Sequence, residues 1–240
     1  MLKQLLAGAG HFLHGFSLIM KPKVRRFVII PLSINIILFV GVTYFVLSNL
    51  GMWTEQLLPD WLDWLSWVLV PITSLVILVI AFFSFSIIGN LIASPFNGYL
   101  SAAVEAHLTG KPISEASYGS MLKEVGRSIA NEIRKFLYFI LWAIPVLILS
   151  FIPVLNLLAL AITAWLLSLE YIDYPFANHS KNFATVRQQV GTHRAGALGF
   201  GGMVMFLTTI PLVNLFVMPT AVAGATSLYV KSLAGNSQSA

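Results

Sequence analysis

Four long stretches of this chain contain no Asp, Glu, Lys or Arg. They cover residues 27–54, 64–104, 136–169 and 195–230. A helix needs roughly 20 apolar residues to cross the hydrocarbon core of a bilayer, and every one of these stretches is longer than that. Lipid offers no hydrogen-bond partners to the backbone, so the segments must be helical or enclosed by protein. They are also too long for barrel strands, and the sequence therefore predicts an all-α integral membrane protein.

The composition supports a membrane protein and disfavours a soluble enzyme. Hydrophobic residues make up 58% of the chain, charged residues make up 10%, and the mean hydropathy is +0.85. The net charge of +5 comes from basic residues near the ends of apolar runs, which favours anionic lipid or an anionic solute over nucleic acid. Cysteine is absent, so a disulfide framework and thiolate metal ligands are excluded. We predict no metal and no cofactor.

We predict one membrane domain over residues 1–240. Its segments are an amphipathic interfacial helix (1–20), a first span (24–52), a second span with a cytoplasmic extension (64–104), and two helical hairpins (136–170 and 195–231). The first segment has apolar residues at helical spacing, namely Leu2, Leu5, Leu6, Ala9, Phe12, Leu13 and Phe16. Two histidines interrupt it and a basic cluster follows, which distinguishes it from a signal peptide.

The distribution of basic residues predicts the orientation. Lys21, Lys23, Arg25 and Arg26 precede the first span, whereas the loop after it carries three acidic residues and several tryptophans but no Lys or Arg. By the positive-inside tendency, that loop lies outside and the basic segments lie in the cytoplasm. Both chain termini are then cytoplasmic.

Each of the last two apolar runs begins and ends beside a basic segment, so each must return to the side that it left. Their turns, Ile152–Leu157 and Ile210–Leu215, are near copies with the sequences IPVLNL and IPLVNL. Neither turn has a charge or a Trp to hold it among lipid headgroups. We interpret them as re-entrant tips inside the membrane, where protein or a watery cavity must satisfy the backbone. Two short spans joined by a tight outer turn are the alternative.

The chain resembles the CysZ family of bacterial sulfate permeases in motifs that follow the family's order. The matching stretches are Arg25–Leu32 with Asn35, Ile92–Gly98, Tyr171–Phe176 with Asn178 and His179, and Ile210–Leu215. The resemblance implies uptake of sulfate across the inner membrane for cysteine synthesis by a homo-oligomer. No Walker motif is present, so a channel or secondary transport without ATP hydrolysis is expected.

Arg25 and Arg26 are the candidate sulfate ligands. They follow Pro22 at the start of the first span, where unpaired backbone N–H groups and the positive end of the helix dipole favour an anion. The planar guanidinium matches two oxygens of a tetrahedral oxyanion such as sulfate or its analogue sulfite. Topology charges that snorkel to the interface are the alternative, and the resemblance favours a binding site. Relatives often have Gly where this chain has Lys23, before Val24, which changes the expected backbone contact with the anion.

Several polar residues in or beside the apolar runs are candidates for the pathway. An amide without a partner there costs about 1–3 kcal/mol, so these asparagines should face protein or water. Two roles are open to them: they line the pathway, or they hold helices together and cap the hairpin tips. The asparagines are Asn35, Asn90, Asn97, Asn156 and Asn214. Glu105 is a candidate for lining or gating the pathway, and a structural salt bridge is the favoured alternative. We expect Glu170 and Asp173 to form structural ion pairs, with Arg127, Arg134, Lys135, Arg187 and Arg194 as available partners.

Two full spans cannot enclose a path for a dianion, so we expect neighbouring subunits of a homo-oligomer to complete it. Small residues of the last hairpin would allow the close packing: Gly199, Gly201, Gly202, Ala221, Ala223 and Gly224. A membrane organiser that binds anionic lipid or a partner protein, without transporting, is the competing hypothesis. A membrane-embedded hydrolase or transferase would need an acid, base and nucleophile cluster, and the sequence suggests none.

Overall fold

The computed structural model describes residues 1–57, 64–111 and 121–234, and these residues form helices and turns without a β-strand. The helices are α1 (Leu2–Ile19), α2 (Pro22–Leu57), α3 (Ser66–Thr109), α4 (Met121–Ser150), α5 (Asn156–Ala177), α6 (Phe183–Thr192), α7 (Arg194–Thr208) and α8 (Pro211–Leu228), followed by a π-helix (Tyr229–Leu233). The predicted fold class is confirmed. The fold contains two long helices, α2 and α3, and two helical hairpins, α4–α5 and α7–α8.

Several helices are long and apolar enough to cross a membrane. Within the described ranges these segments are Pro22–Trp53, Glu132–Ser150, Asn156–Ala177 and Val213–Leu233. Shorter apolar helices occupy Ser66–Ala81 and Arg194–Thr208. The chain is therefore a multi-pass membrane protein.

The chain divides into two compact units. The first unit combines Met1–Arg26 with Asn97–Ala240, and the second unit is Phe27–Phe96. The second unit contains most of α2 and the first part of α3. Many apolar side chains of α2, and of α3 between Trp67 and Ile80, are exposed. The first unit holds α1, the two hairpins and most of the buried core. The single domain expected from the sequence stays a prediction.

The two hairpin tips have similar sequences but different backbones. In the first tip α4 ends at Ser150, and Val154 adopts a φ of 71°, a left-handed conformation that is uncommon for a β-branched residue. In the second tip Ile210 is extended and Pro211 is the first residue of α8, a position suited to its fixed φ. Asn156 therefore opens its helix, whereas Asn214 lies in the first turn of α8. The re-entrant depth of both tips stays a prediction.

Helix α1 packs against the second hairpin through glycines. A Cβ on Gly8 would collide with the carbonyl of Gly196 in α7, and one on Gly15 would collide with the carbonyl of Thr220 in α8. Between them Phe12 is 3% exposed, and its ring centroid lies 6.2 Å from that of Phe200. The glycines let the helix backbones touch, so α1 is an integral part of the first unit.

The other face of α1 is also apolar and is exposed. Leu2 is 70% exposed and Leu6 is 64% exposed, and Leu13 and Phe16 are exposed as well. The sequence placed these residues on one stripe with Phe12, but the structure puts Phe12 in the core. Helix α1 thus has one face for protein and another suited to lipid, and its interfacial position stays a prediction.

The small residues of the second hairpin pack within the chain. A Cβ on Gly199 would collide with the carbonyl of Leu5 in α1, and one on Gly201 would collide with the carbonyl of Ala164 in α5. Gly224 lies against α1, and Ala221 and Ala223 are fully buried. The close packing expected of these residues is therefore present within the chain, and the assembly with neighbouring subunits stays a prediction. Gly202 differs from them, since a Cβ there would have no atom within 4 Å among the described residues other than its chain neighbours and the backbone of its own helix.

Gly201 and Gly202 provide a matched test of this packing. We expect Gly201→Ala to lower the free energy of unfolding by about 1–3 kcal/mol, because its methyl group meets the α5 backbone. Gly202→Ala should be neutral or stabilising, by up to about 1 kcal/mol, because Ala favours the helix. Unfolding of both variants in detergent measures the difference. Equal stability of the two variants would contradict the close α5–α7 contact.

The depth of the first hairpin tip can be tested at Val154, whose side chain is 78% exposed. In this Cys-free chain, Val154→Cys in intact cells should resist a membrane-impermeant maleimide if the tip stays inside the membrane. Glu55→Cys, in the loop predicted to lie outside, should react. Val154→Cys should also react after the protein is dissolved in detergent. Rapid labelling of Val154→Cys in cells would instead establish an ordinary pair of spans.

Candidate functional site

The basic turn Lys23–Arg26 forms the start of α2. Lys21 ends the short connection from α1, and its carbonyl accepts hydrogen bonds from the N–H groups of Val24 at 2.9 Å and Arg25 at 2.8 Å. The Val24 side chain is fully buried, whereas those of Lys23, Arg25 and Arg26 are exposed. The buried valine anchors the turn, and the cationic side chains project around it.

These hydrogen bonds correct one expectation. The start of α2 was expected to offer unpaired backbone N–H groups, but those of Val24 and Arg25 are already used by Lys21. Pro22 has no N–H to offer. The groups that this turn can offer to an anion are therefore mainly side chains. Arg25 has no carboxylate within ion-pair distance among the residues that the structure describes.

Two of the sequence motifs meet where the end of α3 lies beside α5. The Asn97 side chain is 3% exposed, and its Nδ2 donates to the hydroxyl oxygen of Tyr174 at 3.3 Å. One turn further along, Asn178 Nδ2 donates to the carbonyl oxygen of Gly98 at 3.2 Å. Asn97 thus has a protein partner inside the first unit.

Glu105, the predicted gate, lies farther along α3 and contacts His179. Its Oε1 is 2.7 Å from His179 Nε2. The imidazole also stacks on Tyr229, with ring centroids 5.5 Å apart. Glu105 is 8% exposed, and its second oxygen, Oε2, is buried without a hydrogen-bond partner in the described part of the chain. This carboxylate can therefore accept a further donor.

Lys135 forms the center of a buried ion cluster between α4 and α5. Its Nζ lies 2.8 Å from Asp173 Oδ2 and 3.4 Å from Glu170 Oε2. The side chains of Lys135 and Asp173 are 10% and 5% exposed, whereas that of Glu170 is 36% exposed. The same Nζ lies 5.8 Å from the center of the Tyr174 ring. The cluster therefore joins α4 to the Tyr171–Phe176 motif of α5, whose Tyr174 also contacts Asn97.

The predicted pathway asparagines at described positions differ in their exposure. Asn35 has a buried Oδ1 with no partner among the described residues, and Asn156 and Asn214 are exposed at the hairpin tips. The side chains of Asn90 and Arg127 lie outside the described residues. Lys23 and Arg25 make no ion pair with the carboxylates around Lys135 in the ranges described.

Sequence reasoning missed the environment of His11 and His14. Their Nδ1 atoms lie 3.1 Å and 3.0 Å from the hydroxyl of Ser227, which is fully buried in α8. Burial and the nearby charge of Lys231 lower the pKa of both imidazoles. The i, i+3 spacing of the two histidines predicts that they share a helix face. It does not predict Ser227 as their partner, because Ser227 lies far away in the sequence. No set of three metal-ligating residues occurs in the described ranges.

The fold and these polar groups define a multi-pass helical membrane protein with a cationic turn and enclosed polar side chains. The family model described as "Sulfate transporter CysZ/Etoposide-induced protein 2.4" matches residues 11–219. The chain belongs to this family.

Several relatives named sulfate transporter CysZ are similar over nearly the whole chain. The protein of Vibrio parahaemolyticus is 43% identical over 235 residues, covering 95% of each chain. That of Pseudomonas fluorescens is 45% identical, covering 95% of this chain and 94% of the relative. That of Pectobacterium atrosepticum is 40% identical, covering 93% of this chain and 84% of the relative.

The Lys135 cluster leads to a test of stability. We expect Lys135→Met to lower the free energy of unfolding by about 3–5 kcal/mol, because it leaves the buried Asp173 carboxylate without a cation. Adding Asp173→Asn to this variant should restore part of the loss. Glu170→Gln is the matched control and should have a smaller effect, since Glu170 is more exposed. Unfolding in detergent measures all of these variants. A Lys135→Met variant as stable as the unmodified protein would contradict the assigned pair.

Proposed function

We propose that this chain carries sulfate into the cytoplasm across the bacterial inner membrane, for the synthesis of cysteine. The observation that carries the proposal is the similarity to relatives named sulfate transporter CysZ, at 43% and 45% identity over 95% of the chain. The multi-pass helical fold provides the membrane setting that such a function requires.

The basic turn at the start of α2 binds the sulfate in this proposal. Val24 holds the turn in place while Arg25 and Arg26 offer planar donors to pairs of sulfate oxygens. Lys23 adds a point charge and a backbone N–H. Sulfite has a similar size and charge and should compete, whereas chloride carries a single charge and has no pair of oxygens to match the planar guanidinium.

The enclosed amides and the Glu105–His179 pair belong to the pathway in this proposal. Amide donors such as those of Asn97 and Asn35 replace water around a dianion without creating a deep charge well. A carboxylate repels sulfate unless a donor faces it, so Glu105 acts as a gate that His179 holds in position. Glu170 and Asp173 keep Lys135 in place beside Asn97. Three further asparagines are assigned to the same pathway from their sequence positions, namely Asn90, Asn156 and Asn214.

Sulfate moves through a channel or by secondary transport, without ATP hydrolysis, and subunits of a homo-oligomer complete the path. Both termini face the cytoplasm. Exposed asparagines at the hairpin tips support an assembly, because an amide in lipid requires a partner from another subunit or from water. The competing hypothesis, a membrane organiser that binds lipid or protein without transporting, predicts no sulfate flux.

Purified protein in liposomes tests the proposal directly. We expect uptake of labelled sulfate that sulfite inhibits and chloride does not. Arg25→Ala with Arg26→Ala should weaken sulfate binding by on the order of a hundredfold, since two charge-assisted contacts are lost. Replacing both arginines by Lys should restore only part of the binding, because the ammonium lacks the planar fork.

Lys111→Gln with Lys181→Gln removes the same charge from exposed positions and should leave binding unchanged. Calorimetry measures the affinities, and the thermal stability of each variant confirms folding. Absence of flux from the folded, reconstituted protein would favour the membrane organiser. Full binding by the double alanine variant would remove the sulfate site from this turn.

A further inference from the structure

The first unit carries an open cavity of about 570 Å³, lined by residues other than those proposed for the sulfate pathway. It lies between α4, α5, α6 and the beginning of α7. Its lining residues are Tyr138, Trp142, Ala161, Ile162, Trp165, Ala184, Arg187, Gln188, Gly191, Arg194 and Leu198. The volume is in the range of pockets that hold an organic ligand rather than a single small ion.

The apolar and the polar residues of this lining come from different helices. The aromatic and aliphatic walls come mainly from α4 and α5, both of which are candidate membrane spans. The charged and amide side chains, Arg187, Gln188 and Arg194, come from α6 and the first residue of α7. The cavity therefore has a cationic end beside the connecting helix and an apolar end along the spans. A ligand that fits both ends is an anionic amphiphile.

The two arginines are held in place without neutralisation. The guanidinium carbon of Arg187 lies 4.5 Å from the center of the Tyr138 ring, a cation–π contact. Arg194 Nε donates to the carbonyl oxygen of Gly191 at 3.1 Å. No carboxylate lies within ion-pair distance of either arginine among the described residues. Each guanidinium has five N–H donors, so donors remain for a ligand.

We propose that this cavity binds an anionic phospholipid. Arg187 and Arg194 contact the headgroup phosphate, Gln188 contributes an amide, and one acyl chain lies against Trp142 and Trp165. A free oxyanion shares the phosphate chemistry, but it would gain nothing from the indole and aliphatic walls, which make up most of the lining. A zwitterionic lipid has the same phosphate and fits the apolar end equally well, but its choline cation is repelled by the arginines and leaves the headgroup without net charge, so its attraction to this site is weaker.

Native mass spectrometry of the purified full-length protein tests the site, with dioleoylphosphatidylglycerol and dioleoylphosphatidylcholine as probes. The unmodified protein should retain the phosphatidylglycerol far better. Arg187→Gln with Arg194→Gln should weaken that binding by on the order of tenfold or more. Lys111→Gln with Lys181→Gln is the matched control, since it removes the same charge at exposed positions outside the cavity, and it should retain the lipid.

A second variant tests the apolar end without changing charge. Ala161→Phe places a ring inside the cavity and should also weaken the binding of phosphatidylglycerol. Sodium sulfate at millimolar concentration should not displace the lipid from the unmodified protein. The proposal would be overturned if the unmodified protein retained both lipids equally, or if both charge variants lost the lipid equally. It would also be overturned if Ala161→Phe bound the lipid unchanged, or if sulfate displaced the lipid. Sulfate binding is measured separately, so failure here leaves the transport proposal intact.

Discussion

The first unit depends on contacts between helix backbones at glycine. Gly8 and Gly15 bring α1 against the second hairpin, and Gly201 brings α7 against α5. Lipid is as apolar as a leucine side chain, so burial of apolar surface alone provides little force to join helices in a membrane. Close approach provides dispersion contacts instead, and it requires that no Cβ stands between the helices. Because α5 carries Asp173 and leads directly to His179, this packing also supports the polar site.

The buried polar residues follow from the same constraint. Lys135, Asp173, Asn97 and Tyr174 lie together where α3, α4 and α5 enclose them, and each finds a partner. A charge or amide in lipid has no such partner, so polar residues in these helices must face protein or water. The network joins the end of α3 to both helices of the first hairpin. It thereby connects two sequence motifs that lie far apart in the chain, with separations of 74 residues for Glu105–His179 and 77 residues for Asn97–Tyr174.

The two cationic regions differ in the surroundings of their arginines. At the start of α2, Arg25 and Arg26 project from a turn anchored by Val24, which suits a small oxyanion approaching from water. In the cavity beside α6, Arg187 and Arg194 stand at the edge of aromatic and aliphatic walls, which suits a ligand with an acyl chain. The same guanidinium group therefore has two different surroundings in this chain.

The sequence by itself determined the helical membrane fold, the hairpins and the family, because charge-free runs, paired basic flanks and local motifs are encoded by neighbouring residues. It also singled out Glu105, Asp173 and Lys135, since charged residues beside apolar runs are conspicuous. Only the tertiary structure decided that Lys135 pairs with Asp173, that Ser227 lies between His11 and His14, and that Gly201 but not Gly202 is enclosed. It also decided that two near-identical tips adopt different turns. These outcomes depend on contacts between residues far apart in the chain, whose geometry no local pattern specifies.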